Sequence, residues 1–184
     1  MKYYLKIILL PLILCANTTF AADLLVEAES FAERGGWKLD TQFITEMGSP
    51  YLLAHGLGIP VPDAETDVTL PNGGAYRVWV RTRDWVAPWN APGGPGRFQV
   101  LLDGTPLETD FGTEGEAWHW QDGGTCELKD KVQISLHDLT GFEGRCDAIL
   151  LSADTAWIPP HEGKELAELR KRLTSIEPKP TNGG

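Results

Sequence analysis

Four tryptophans stand in predicted loops: Trp85, Trp89, Trp118 and Trp120. Arg81, Arg83, Asp84 and His119 are their polar neighbours. An indole has a flat apolar face that stacks on the C–H face of a pyranose ring, while fixed donors and acceptors meet the hydroxyls at its edge. The planar fork of arginine adds a bidentate grip for a carboxylate, as on a uronate. The competing reading is that these indoles plug the ends of a hydrophobic core, because tryptophan is usually largely buried. Residue type alone leaves both readings open.

Other chemistries have thinner support. The chain holds neither a G-x-S-x-G elbow nor an H-E-x-x-H pair. His55, His119, His137 and His161 are far apart and have no Cys-x-x-Cys partner, so transition-metal ligation is not indicated. His119 beside Asp110, Glu114 and Glu116 is the one candidate acid/base cluster, and a polysaccharide-active enzyme ranks behind binding. Gly56-Leu57-Gly58 and Gly93-Gly94-Pro95-Gly96 are followed by no helical pattern and read as turns, not phosphate loops.

What positions the tryptophans is strand patterning. In Gly74 to Trp89, the residues Tyr76, Val78, Val80 and Thr82 share one face, and Arg77, Trp79, Arg81 and Arg83 share the other. Pro88 has no N–H to donate, so the strand ends before it and delivers its arginines and indoles to a rim. Asn72-Gly73 predicts a hairpin pairing Thr66–Leu70 with this strand. Further strands are expected at Leu24–Glu29, Trp37–Leu39, Tyr51–Ala54 and Arg97–Leu102. Asp103-Gly104 signals a hairpin and Asp122-Gly123-Gly124 a turn, and beyond them come Thr125–Leu128, Val132–Leu136 and Arg145–Ser152. Many short strands with turn signals between them predict an all-β fold, a jelly-roll-like antiparallel β-sandwich with a C-terminal helix.

The 184 residues divide into an export signal at 1–21, a sandwich at 22–158, a helix at 159–173 and a linker-like tail at 174–184. Lys2 and Lys6 precede the apolar Ile7–Ala16, and Thr19-Phe20-Ala21 is a cleavage-type exit, so the mature chain is expected in the periplasm or outside the cell. The apolar run is too short for a transmembrane span. Cleavage removes two lysines and no acids, taking the net charge from −10 to −12. That balance argues against nucleic acid and anionic membranes as partners. Cys126 and Cys146 remain, either as a bridge or as two small buried hydrophobes. In the helix, Leu166, Leu169 and Leu173 fall on one face, which would suit docking onto a catalytic partner.

The order Glu27-Ala28-Glu29, Gly74-Ala75-Tyr76-Arg77-Val78, Val100-Leu101-Leu102-Asp103-Gly104 and Cys146-Asp147-Ala148-Ile149 resembles carbohydrate-binding modules of families six and thirty-five. That resemblance implies a structural calcium, with Glu27, Glu29 and Asp147 at the matching ligand positions. On the residues alone, the two glutamates can equally be solvated or paired with Arg34 or Arg145. Met47 to Gly56, Arg81-Thr82-Arg83-Asp84-Trp85, Asp138 to Phe142 and Leu169 to Leu173 are similar to the N-terminal module of secreted bacterial FAD-dependent oxidoreductases. The second resemblance implies an accessory domain with a flavoprotein partner. No dinucleotide-binding loop follows a strand in this chain, so FAD binding by the chain itself is not expected.

Overall fold

The computed structural model describes residues 23–174. The export signal read at 1–21 and all but the first residue of the tail read at 174–184 lie outside the described residues. The strands are β1 (Leu24–Glu27), β2 (Lys38–Asp40), β3 (Tyr51–His55), β4 (Ala64–Thr69), β5 (Gly74–Thr82) and β6 (Phe98–Leu102). They continue with β7 (Thr105–Pro106), β8 (His119–Leu128), β9 (Lys131–Asp138), β10 (Phe142–Cys146) and β11 (Ala148–Ser152). Two helices, α1 (Ile44–Met47) and α2 (Gly163–Thr174), complete the described chain, with single 3-10 turns at Ala28–Ser30 and Ala87–Trp89.

Every strand pair is antiparallel, and the strands form three sheets ordered β1-β11-β5-β8, β10-β3-β2 and β4-β9-β6-β7. Alternation sets the shared core. Tyr76, Val78 and Val80 of β5 face Phe98, Val100 and Leu102 of β6 and Val132, Ile134 and Leu136 of β9 across it. Trp37 meets Phe98 edge-on, with ring centroids 5.5 Å apart. Cys146 is fully buried in this core and Cys126 packs against it, both as free thiols.

The outer face of β5 is also covered. Leu166, Leu169 and Leu173 of α2 pack on Trp79, Trp120, Ala148 and Leu150. The apolar stripe of the helix is therefore satisfied within the chain and offers no surface to a docking partner.

Three expectations need correction. The Asn72-Gly73 turn does not make a hairpin: β4 pairs with β9, and β5 pairs with β11 and β8, so the turn carries the chain from one sheet to another. The strand expected at Arg145–Ser152 breaks at Asp147 into β10 and β11, which belong to different sheets. The segment at Asp122-Gly123-Gly124 is not a turn; it lies inside β8, opposite an irregularity in β5 between Arg77 and Trp79. By contrast, the Asp103-Gly104 hairpin forms as read, between β6 and β7.

Candidate functional site

Beyond β5 the chain turns at Asp84, whose Oδ1 accepts the Val86 N–H at 2.9 Å. Pro88 lies in the 3-10 turn Ala87–Trp89, and Asn90 closes it in the left-handed region at φ 45°, a conformation asparagine tolerates well. This local geometry sets two indoles side by side. Trp89 is 69 % exposed, and Trp85 is half-buried with its ring centroid 6.3 Å away at an interplanar angle of 64°. The pair is edge-to-face rather than coplanar. Trp85 donates its indole N–H to the Phe142 carbonyl at 3.1 Å, and Phe142 is itself 46 % exposed. Between them opens a shallow cleft of about 430 Å³, lined by Trp85, Val86, Pro92, Pro95, Thr140 and Phe142 among others, with no charged side chain in its lining.

Backbone stitching holds this end together. Asp138, 1 % exposed, accepts from the N–H groups of Thr140 and Gly141 at Oδ1 and from Val61 at Oδ2. The Thr140 hydroxyl accepts from the N–H groups of Gly96 and Phe142. Gly141, at φ 68°, accepts from Gly56 and Gly58 through its carbonyl. The loops before β4, β6 and β10 are thereby joined. Gly96 has to be glycine: its φ is 90°, and a Cβ there would lie 2.8 Å from Cδ1 of Trp85.

The remaining candidate residues are placed elsewhere. Trp118 is 4 % exposed and packs on Tyr51 at 5.0 Å between ring centroids, so it offers no open face. Trp120 is 2 % exposed beneath α2 and donates its indole N–H to the Pro160 carbonyl at 3.0 Å. Both lie inside the protein because other elements cover them, which removes them as stacking platforms. Arg81 is buried and ion-paired with Asp147, so it is not at a rim. Arg83 lies over the Phe43 ring at 4.6 Å. His119, half-buried, places Nδ1 3.0 Å from the Ala117 carbonyl. Asp110, one of the acids read with His119, pairs instead with Arg97 and accepts from Gln99.

Of the residues expected at the site, the structure brings Trp85 and Trp89 together and adds Phe142, Thr140 and Asp138. The signal for Asp138 and Thr140 is Asp138-Leu139-Thr140-Gly141: an aspartate two and three residues before backbone N–H groups, with a glycine able to take positive φ, is the pattern of a self-bonded turn.

The acidic positions form a second cluster. Asp147 is fully buried; its Oδ1 accepts from the Ser49 hydroxyl at 3.1 Å, and its Oδ2 meets Arg81 Nε at 3.2 Å and Arg170 Nη2. Glu27 Oε2 lies 3.3 Å from the same Arg170 nitrogen. Burial pushes the Glu27 carboxyl up to about 7, with Arg170 pulling the other way, and burial likewise raises Glu29 and Asp147. Arg34 reaches the Glu29 backbone carbonyl, and Arg145 pairs with Glu143 instead. Calcium needs about 6–8 oxygen ligands around an open centre. Here Asp147 is committed on both oxygens and a guanidinium stands between the carboxylates, so the arrangement does not fit a calcium ion. Among the described residues, no group of three or more His, Cys, Asp or Glu side chains is set to hold a metal.

No protein-family profile matches the chain, and no curated protein does. Solved structures do. The chain is similar to the GH26-CBM35 β-(1,4)-mannanase of Podospora anserina at 20 % identity and TM-score 0.56, over 76 % of this chain and 29 % of that one. A family 35 carbohydrate-binding module from Clostridium thermocellum matches at 19 % identity and TM-score 0.56, over 72 % of this chain and 100 % of the module. The C-terminal CBM6 of the laminarinase LamC from Zobellia galactanivorans matches at 17 % identity and TM-score 0.52, over 71 % and 99 %. The fold is thus the β-sandwich of these modules. The resemblance to the N-terminal module of FAD-dependent oxidoreductases gains no support from these likenesses.

Proposed function

We propose that this chain is an exported, non-catalytic carbohydrate-binding module whose ligand seats on the Trp85–Trp89–Phe142 end. The observation carrying the proposal is an exposed indole, Trp89, set against Trp85, the indole that lines the cleft and is fixed there by its own N–H bond. A fixed aromatic face such as that of Trp85 stacks on a sugar ring at little entropic cost, since it does not have to be ordered on binding. The fold likeness to modules of families six and thirty-five supports the same reading. The uncharged lining and the burial of Arg81 favour a neutral glycan over a polyuronate. Affinity electrophoresis through mannan, laminarin, galactan, xylan and polygalacturonate tests it. The expected result is retardation by at least one neutral polysaccharide, lost in Trp89→Ala; free migration of the wild type in all five gels would count against the proposal.

A further inference from the structure

Arg170 enters the acidic cluster from α2, 23 residues along the chain from Asp147. Its Nη2 faces Asp147 Oδ2 and Glu27 Oε2, and its Nη1 donates to the Ser49 hydroxyl at 2.9 Å and reaches the Met47 carbonyl at 3.4 Å. Two carboxylates, a hydroxyl and a backbone carbonyl therefore converge on one positive group. That is the oxygen set a hard divalent ion takes, but here each oxygen faces a guanidinium N–H. Arg170 also belongs to the helix whose leucines cover Trp79 and Trp120, so packing fixes where its fork points.

We infer that Arg170 is a built-in cation: it holds the first strand, the Asp147 break and α1 together as a bound metal would, and it makes the fold independent of calcium. A guanidinium stays charged at any ordinary pH, and a chelator cannot remove it. Deleting the side chain should leave a partly buried oxygen cluster in which Arg81, beside Asp147, is the remaining positive partner, and the excess negative charge is one that a divalent ion can offset.

The test is thermal unfolding of the wild-type chain and Arg170→Ala, each in EDTA and in millimolar calcium chloride. The wild type is expected to melt at the same temperature in both. In EDTA the variant is expected to melt about 10 °C lower, as for breaking a buried ion pair in a domain of this size. Calcium should restore several degrees of that loss, and adding Asp147→Asn to the variant should abolish the gain. A wild-type midpoint that rises with calcium overturns the inference, as does a folded Arg170→Ala that ignores calcium. If Arg170→Ala does not fold in EDTA, recovery of folded protein on refolding with calcium supports the inference, and failure to recover overturns it.

Discussion

The indole N–H of Trp85 donates to the main-chain carbonyl of Phe142, 57 residues away, at 3.1 Å. One bond thus ties the loop after β5 to the first residue of β10, and it fixes the ring that forms one wall of the cleft. Arg145, 6 % exposed, places its guanidinium carbon 5.5 Å from the centre of the same ring. The rear of Trp85 belongs to the scaffold while its open side faces the cleft.

Trp89→Ala separates recognition from stability. Trp89 is exposed, and its contact with Trp85 is a single edge, so its removal is expected to change the unfolding free energy by less than about 1 kcal/mol. Glycan affinity should fall at least tenfold, as expected for removing one of two stacking faces. Isothermal titration with the retained polysaccharide, beside a melt of each protein, checks both numbers.

Gly96→Ala should damage the same site from behind. The added methyl meets the Trp85 ring at 2.8 Å, and φ at this position is 90°. Strain of about 1–3 kcal/mol and a displaced indole are the expected outcome. The position of the Trp85 indole N–H signal in a nitrogen–proton spectrum, compared with that in Gly93→Ala, would show it; position 93 also has positive φ but no atom in the way.

Asp138→Ala should loosen three loops together. It leaves the N–H groups of Val61, Thr140 and Gly141 without their carboxylate. The expected loss is about 2–4 kcal/mol, because the acceptor is buried and serves several donors. Faster amide exchange at those three positions, with β5 unchanged, is the signature to measure.

α2 should behave as core rather than as an appendage. Leu169 is 5 % exposed against Trp79 and Trp120, so Leu169→Ala is expected to cost about 2–4 kcal/mol. Urea unfolding monitored by far-ultraviolet signal and by tryptophan emission should shift together; an unchanged midpoint would mean the helix is not packed as described.

The approach to α2 carries a pH dependence. His161 accepts the backbone N–H of Trp120 at Nδ1, 3.1 Å away, which requires an unprotonated nitrogen there. Burial lowers its pKa from the ordinary 6.5, and His119 and Arg81 add to the effect. The unfolded chain therefore binds the proton more readily, and stability rises with pH across this window. The contribution is full above about 6.5 and is lost as pH falls through the lower folded value. His161→Ala should remove that part of the slope between neutral pH and pH about 5, measured as the change in melting temperature of each protein.

Much of the sandwich was legible because β5, β6 and β9 alternate so regularly that their inner faces could be assigned residue by residue. Which strand pairs with which was less legible. Asn72-Gly73 encodes a change of direction, but the choice between a hairpin and a crossing to another sheet is made by the partners, β9 on one side and β8 and β11 on the other. The same limit applies to the indoles. Trp89 and Trp120 both follow polar or proline-rich neighbours, and only the segment from Pro160, 40 residues on, with α2 behind it, makes one of them interior. Arg170 lay within Arg170-Lys171-Arg172, a run suited to the helix dipole, and no local pattern marked it as the partner of Asp147. The Asp138 turn was visible in its residues, yet its role as the knot of three loops depends on Val61, 77 positions away.

The most direct measurement is a two-dimensional nitrogen–proton spectrum of the seven indole N–H groups, recorded while the retained polysaccharide, or an oligosaccharide cut from it, is titrated in. The Trp85 and Trp89 signals are expected to move saturably while those of Trp37, Trp79, Trp118 and Trp120 hold still. Binding that shifts the buried four and leaves Trp85 and Trp89 unmoved would contradict it.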